Sequence, residues 1–190
     1  MSGQIVVQMH GDPGSGKSAL ARAIGRMLPA IVIDKDAISS PLLAAGLDAP
    51  AAGAAAYEIV RELAADFLND GHSVIRDSPC AWPAIEERGR ALAARAGASW
   101  AMIETTCPGP ILDARLVQRT PRLSQPKARQ AWYDRPGTYR PSCQRLVLDS
   151  TLPVEQLTVE AIRYLQGIRG SSAQRRLHAS AAGVGRAGLS

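Results

Sequence analysis

The chain has 190 residues, 46 % apolar and 21 % charged. That balance excludes a fibrous or disordered chain and suits one domain with its own core. No run nears the roughly 18 apolar residues of a membrane span, and residues 1–9 carry no basic leader. The expectation is a cytoplasmic protein without a membrane partner.

The net charge of +5 belongs to the C-terminus. Residues 1–166 carry 18 basic and 17 acidic groups, whereas 167–190 carry Arg169, Arg175, Arg176 and Arg186 and no acid. A near-neutral folded part argues against nucleic acid as its partner. Cys80, Cys107 and Cys143 form no C-x-x-C pair, and His10, His72 and His178 are scattered. Reduced thiols are expected, and no histidine or cysteine metal set.

In chain order, residues 5–9 read as a buried strand running into Gly11-Asp-Pro-Gly-Ser-Gly-Lys-Ser18. Residues 18–28 turn helical, with Leu20, Ile24, Met27 and Leu28 on one face. Residues 31–33 form a second strand that ends at Asp34-Lys-Asp36. Residues 37–56 are alanine-rich with Pro41, Gly46, Pro50 and Gly53, and predict a short helix and a loop. Residues 57–68 form a helix stopped at Asn69-Asp-Gly71. Strands follow at 73–77, 99–104 and 145–149, and helices at 83–95, 110–119 and 154–168. Residues 120–144 have five breakers and little apolar periodicity. The Gly-, Ser-, Ala- and Arg-rich tail, 169–190, is expected to be disordered. Apolar strands alternating with helices imply an α/β domain over 1–168, a mostly parallel sheet with helices on both faces. Ligands of such sheets bind beyond the C-terminal strand ends.

Gly11, Asp12, Pro13, Gly14, Ser15, Gly16, Lys17 and Ser18 match G-x-x-x-x-G-K-[ST], with a strand before and a helix from Ala19 onward. Glycines let the backbone curl so that its N–H groups face phosphate oxygens, and the helix N-terminus adds positive charge. Lys17 is the residue for the β- and γ-phosphates, and the Ser18 hydroxyl is the Mg²⁺ ligand. The ligand class is a nucleoside triphosphate with magnesium. ATP is the default, since no N-K-x-D guanine motif stands in the right place.

Asp34 and Asp36 end the second strand, where a carboxylate can face the γ-phosphate and accept or orient an acceptor proton. One of the pair also suits the N-cap of the next helix. Asp36 is preferred as the base, with Asp34 kept open. Asp77 closes the third strand, the place of a Walker B carboxylate on the magnesium side. Arg115 and Arg119 are spaced i, i+4. From 115 to 145 there are eight basic residues and one acid, Asp134. That segment suits a lid over about 120–144, closing on a transferring phosphoryl group through Arg122, Lys127, Arg129, Arg135 or Arg140. Tyr57, Glu58, Trp82, Trp132 and Tyr133 are further candidates for ligand contact.

These segments, together with Leu148-Asp-Ser-Thr-Leu-Pro-Val154, resemble the small P-loop kinases over about residues 4–167. The resemblance is to the "AAA domain" kinase-like proteins related to chloramphenicol phosphotransferase, zeta toxins and the kinase domain of polynucleotide kinase. It implies a P-loop NTPase fold, with a five-stranded parallel sheet in the order 2-3-1-4-5. It also implies γ-phosphoryl transfer to a hydroxyl, a base at Asp36 or Asp34, lid arginines at Arg119 and Arg122, and Arg115 near the nucleotide. Many relatives carry Asp-x-Ile-Arg after the second strand. Here Asp36-Ala-Ile-Ser39 lacks the arginine, and the alanine-rich pocket at 37–56 hints at a small or partly apolar acceptor rather than a polyanion. The leading expectation is a small-molecule kinase, as monomer or homodimer. The alternatives are a polynucleotide 5′-hydroxyl kinase and a regulatory ATPase with no acceptor.

Overall fold

The computed structural model describes residues 3–126, 139–141 and 143–184, with 171–184 described by their backbone alone. Among the described residues strands alternate with helices, except that two helices follow one another between the second and third strands. The elements are β1 (Ile5–His10), α1 (Lys17–Met27), β2 (Ala30–Asp34), α2 (Lys35–Ala44), α3 (Ala49–Asn69), β3 (Ser73–Asp77), α4 (Pro83–Arg95), β4 (Ser99–Thr106), α5 (Gly109–Gln118), β5 (Leu146–Asp149) and α6 (Val154–Val184). The five strands form one sheet in the order β2-β3-β1-β4-β5. Every pairing is parallel.

Side chains alternate across a strand, so each strand feeds two cores. Ile5, Val7, Met9 and Ile75 pack on one face with Leu20 and Ile24 of α1 and Leu157, Ala161 and Leu165 of α6. Val6 and Val74 pack on the other face with Val60, Ala64 and Leu68 of α3 and Leu92 and Ala93 of α4. β1 is buried along its whole length, which fixes the loop that follows it. By the same alternation, Asp77 points to the α1 face and Arg76 to the face of α3 and α4.

Most boundaries fall within two residues of the sequence expectation, and three of the differences concern α3, α5 and α6. The helix expected from Tyr57 begins at Ala49. Asp48 caps it, its carboxylate accepting from the Ala51 N–H at 2.8 Å, and Pro50 sits in the first turn, where its missing N–H is harmless. Alanines then carry the helix across Gly53. Next, α5 stops at Gln118, so Arg119 is an extended C-cap residue rather than the last helical one. Finally, α6 does not end at Ile168. It continues to Val184, since no proline interrupts 169–184 and a nucleated helix propagates one residue at a time. Residues 185–190 lie outside the described residues. So does much of the expected lid, with Lys127, Arg129, Trp132, Tyr133 and Arg135.

Among the described residues no helix is long and apolar enough to cross a membrane.

Candidate active site

The buried β1 delivers the chain into a loop that only glycines can make. Gly11, Gly14 and Gly16 have φ of +129°, +85° and +85°. A Cβ on Gly11 would stand 2.3 Å from the Thr105 carbonyl oxygen. The Ser15 N–H donates to the Asp12 carbonyl at 3.1 Å, and the Ser15 hydroxyl meets Thr105 Oγ1 at 2.7 Å, tying the loop to β4. Gly16 is the N-cap of α1, with no side-chain cap and no acid in the first turn. That leaves N–H groups and a positive helix end for an anion. Lys17 Nζ donates to the carbonyls of Gly11 and Asp12, both at 2.7 Å. Burial pushes its ammonium down to about 8, although Asp77, Asp12 and Asp36 favour the charged form.

The two carboxylates that end β2 do different work. Asp34 caps α2, its Oδ1 accepting from the Asp36 N–H at 2.9 Å and the Ala37 N–H at 3.4 Å. Its Oδ2 pairs with Arg122 at 3.1 Å. Asp36 lies two residues on and lines the cleft. Lys35 Nζ is 3.1 Å from Asp36 Oδ1, and the Ser124 hydroxyl donates to that oxygen at 3.2 Å. Burial pushes the Asp36 carboxyl up. The Lys35 charge and hydrogen bonds from Lys35, Gln125 and Ser124 outweigh it and hold the group below its ordinary value.

Asp77 is the register partner of Asp34 across β2 and β3. It is buried, which pushes its carboxyl up, and a hydrogen bond with Ser18 offsets part of that. Its Oδ2 has no partner among the described residues. A hydroxyl and a carboxylate oxygen side by side, one of them unsatisfied, fit Mg²⁺. That ion takes one or two protein oxygens and keeps its other positions for water and phosphate. Among the described residues no three His, Cys, Asp or Glu side chains converge as a metal set, which a site of this kind does not need.

Arg115 reaches from α5 to the Ser150 hydroxyl at 2.9 Å and the Ser150 carbonyl at 2.6 Å. It also lies 3.5 Å from the Gly14 carbonyl, so it braces the phosphate loop against the turn after β5. Arg119 donates to the Pro126 carbonyl. Its buried Nε has no partner among the described residues.

One cleft of about 780 Å³ gathers Pro13, Gly14, Gly16, Lys17, Ser18, Ala19, Asp36, Asp77, Arg115 and Arg119. Seven described sequence candidates do not line it, among them Ser15, which is held by Thr105, and Glu58 and Arg140, which line other cavities. Asp34 and Arg122 are turned to each other, while Gly11 and Asp12 face a smaller cavity beside His10 and Thr105. Tyr57 and Trp82 do line the cleft, along with Ala49, Pro50, Gly53 and Ala54 from the alanine-rich stretch. The sequence singled out none of Arg22, Lys35, Ser124 and Gln125, which also line it. Lys35 had a signal, since it stands between the two aspartates. Ser124 and Gln125 had none, because they lie in a loop without periodicity.

The family described as AAA domain matches residues 6–135, more than half of the chain. The chain belongs to this family. Among curated proteins no significant match is found. Solved structures share the fold at low identity. A putative kinase from Chloroflexus aurantiacus j-10-fl aligns with a TM-score of 0.68 at 20 % identity, over 88 % of this chain and 99 % of that one. The Mycobacterium tuberculosis APS kinase, solved with AMPPNP and APS, aligns at 0.65 and 21 %, over 87 % and 98 %. A gluconokinase from Sinorhizobium meliloti 1021 aligns at 0.62 and 19 %, over 92 % and 97 %.

Proposed function

We propose that this AAA domain protein is a kinase that moves the γ-phosphoryl group of ATP to a hydroxyl of a small molecule. The observation that carries this reading is the shared cleft. Lys17, Asp36, Asp77 and Arg119 line one cavity, and an apolar wall of Ala49, Pro50, Ala54, Tyr57 and Trp82 extends it. A switch ATPase needs the first four. It has no use for a chamber beyond them. The kinases among the structural neighbours support the same reading.

The chemistry follows from the groups present. The N–H groups at the start of α1, with Lys17, bind the triphosphate and offset its charge. Asp36 accepts the proton of the acceptor hydroxyl as its oxygen forms a bond to the γ-phosphorus. The bond from that phosphorus to the β,γ-bridging oxygen breaks, and ADP leaves. Arg119 offers to the transferring group an N–H that has no partner among the described residues. Ser18 and Asp77 are the residues that would hold Mg²⁺, which draws charge from the phosphate oxygens when bound. Exclusion of water separates transfer from hydrolysis, and that is the work of the segment after Arg119.

The test supplies labelled Mg-ATP with two acceptor pools, one of small hydroxylated metabolites and antibiotics, the other of 5′-hydroxyl oligonucleotides. Label in a small molecule is the expected result. Label in oligonucleotides alone would replace this reading with a polynucleotide kinase.

A further inference from the structure

A second chamber opens beside the acceptor end of the cleft. It has a volume of about 460 Å³ and shares Ala54, Tyr57 and Trp82 with the cleft. At its floor lies Arg76, from the strand position before Asp77 and on the opposite face of the sheet. Its guanidinium fits a notch in α4, where a Cβ on Gly89 would stand 2.5 Å from Arg76 Nη1.

Arg76 is 3 % exposed. Nη1 makes one long contact, 3.5 Å to the Ile85 carbonyl, and Nε has no partner among the described residues. Burial lowers its affinity for the proton, and the groups that oppose this are Cys80 and Tyr57, neither of them a carboxylate. The one acid of the chamber, Glu58, is taken at the rim by Arg61 and Arg88. The chamber is thus lined by three arginines and one carboxylate, and that carboxylate is paired away from Arg76. A buried guanidinium without a counter-ion is unfavourable unless something brings one.

We infer that Arg76 binds an anionic group of the acceptor, a carboxylate or phosphate, so that the substrate is an anionic alcohol whose hydroxyl reaches Asp36. This rests on the kinase reading for the hydroxyl end, but not for the anion. It replaces the partly apolar acceptor that the composition of 37–56 suggests with one apolar in its middle and charged at its far end.

The test follows the Arg76 Nε–H resonance by NMR, assigned through its loss in Arg76→Lys. The protein carries Lys17→Ala, so the phosphate loop does not compete for the anion. Glycerate, glycerol 3-phosphate and glycerol are titrated in turn, giving a carboxylate arm, a phosphate arm and a neutral control on one carbon frame. A saturable shift with either anion and none with glycerol is expected. Gly89→Ala, which keeps every charge but pushes the guanidinium from its notch, should weaken that binding about tenfold or more. An unmoved Arg76 resonance with both anions, or equal binding in Gly89→Ala, would overturn the proposal. Because this variant is transfer-dead, the outcome is independent of whether the protein proves to be a kinase.

Discussion

Asp34 and Asp77 stand opposite each other in register at the C-terminal ends of adjacent parallel strands, yet only Asp77 lines the cleft. The sheet brings both carboxylates to the same edge, and their partners separate them. Asp34 is consumed by the N-terminus of α2 and by Arg122. Asp77 keeps, beside Ser18, an oxygen without a partner among the described residues. Asp36, not Asp34, lines the same cleft as Lys17 and Asp77.

Asp36→Asn and Asp34→Ala should therefore separate catalysis from stability. Losing a positioned base should lower kcat about 10²-fold or more, with ATP affinity nearly unchanged. Asp34→Ala should lower stability by about 1 kcal/mol through the lost cap, with little added by the half-exposed Arg122 pair. Its kcat should change far less. Steady-state kinetics and thermal unfolding of the two variants check this, and a reversed pattern would assign the base to Asp34.

Asp77→Asn should raise the magnesium requirement. Removing a charged ligand or the partner of one commonly costs 10- to 100-fold in metal affinity, so the free Mg²⁺ giving half-maximal transfer should rise by about that factor. Thermal stability should hold or improve, because a buried carboxylate with an unsatisfied oxygen is replaced by a neutral amide. Transfer titrated against Mg²⁺, with a chelator blank, checks it.

Arg119→Ala should lower kcat about 10²-fold, the usual loss for one donor aimed at developing charge. KM for ATP should move much less. Equal falls in kcat and in ATP affinity would make Arg119 a ground-state contact instead.

The pH profile should show Lys17. In the free protein its ammonium ionises near 8, because burial disfavours the charged form. Lys17 is charged below that value and neutral above it. Hence kcat/KM for ATP should be level below about 8 and fall tenfold per unit above it. At saturating ATP the phosphates favour the proton, so the break in kcat should lie higher. Asp36, held below its ordinary carboxylate value, should place no ionisation near neutrality. A flat profile through pH 9 would show that Lys17 is not desolvated.

The legible parts of this protein were those with short-range signatures. The glycine spacing of 11–18 identified the phosphate loop, since backbone conformation and residue type are locked together there. Strand periodicity identified all five strands. The Asp34–Asp36 pair was found, but which of them caps the helix depends on where β2 ends, and that is set by its pairing to β3. Arg122 was drawn into the site by its charge, whereas its position is decided by Asp34, 88 residues away in sequence. Ser124 reaches Asp36 from a loop whose sequence signals nothing. Arg76 is a charged residue in an otherwise apolar stretch of β3 and signals no partner there. Its place under α4 became visible only once Gly89 was seen to leave room for it.

The central claim is that Asp36 and Lys17 line one cleft built for transfer. Its most direct test follows the γ-phosphoryl group of labelled Mg-ATP in the wild-type protein and in Asp36→Asn, with small hydroxylated acceptors present. The account predicts a stable phosphoester of a small molecule in the wild type and about 10²-fold slower formation in the variant. Label released only as inorganic phosphate, at one rate in both proteins, would contradict it.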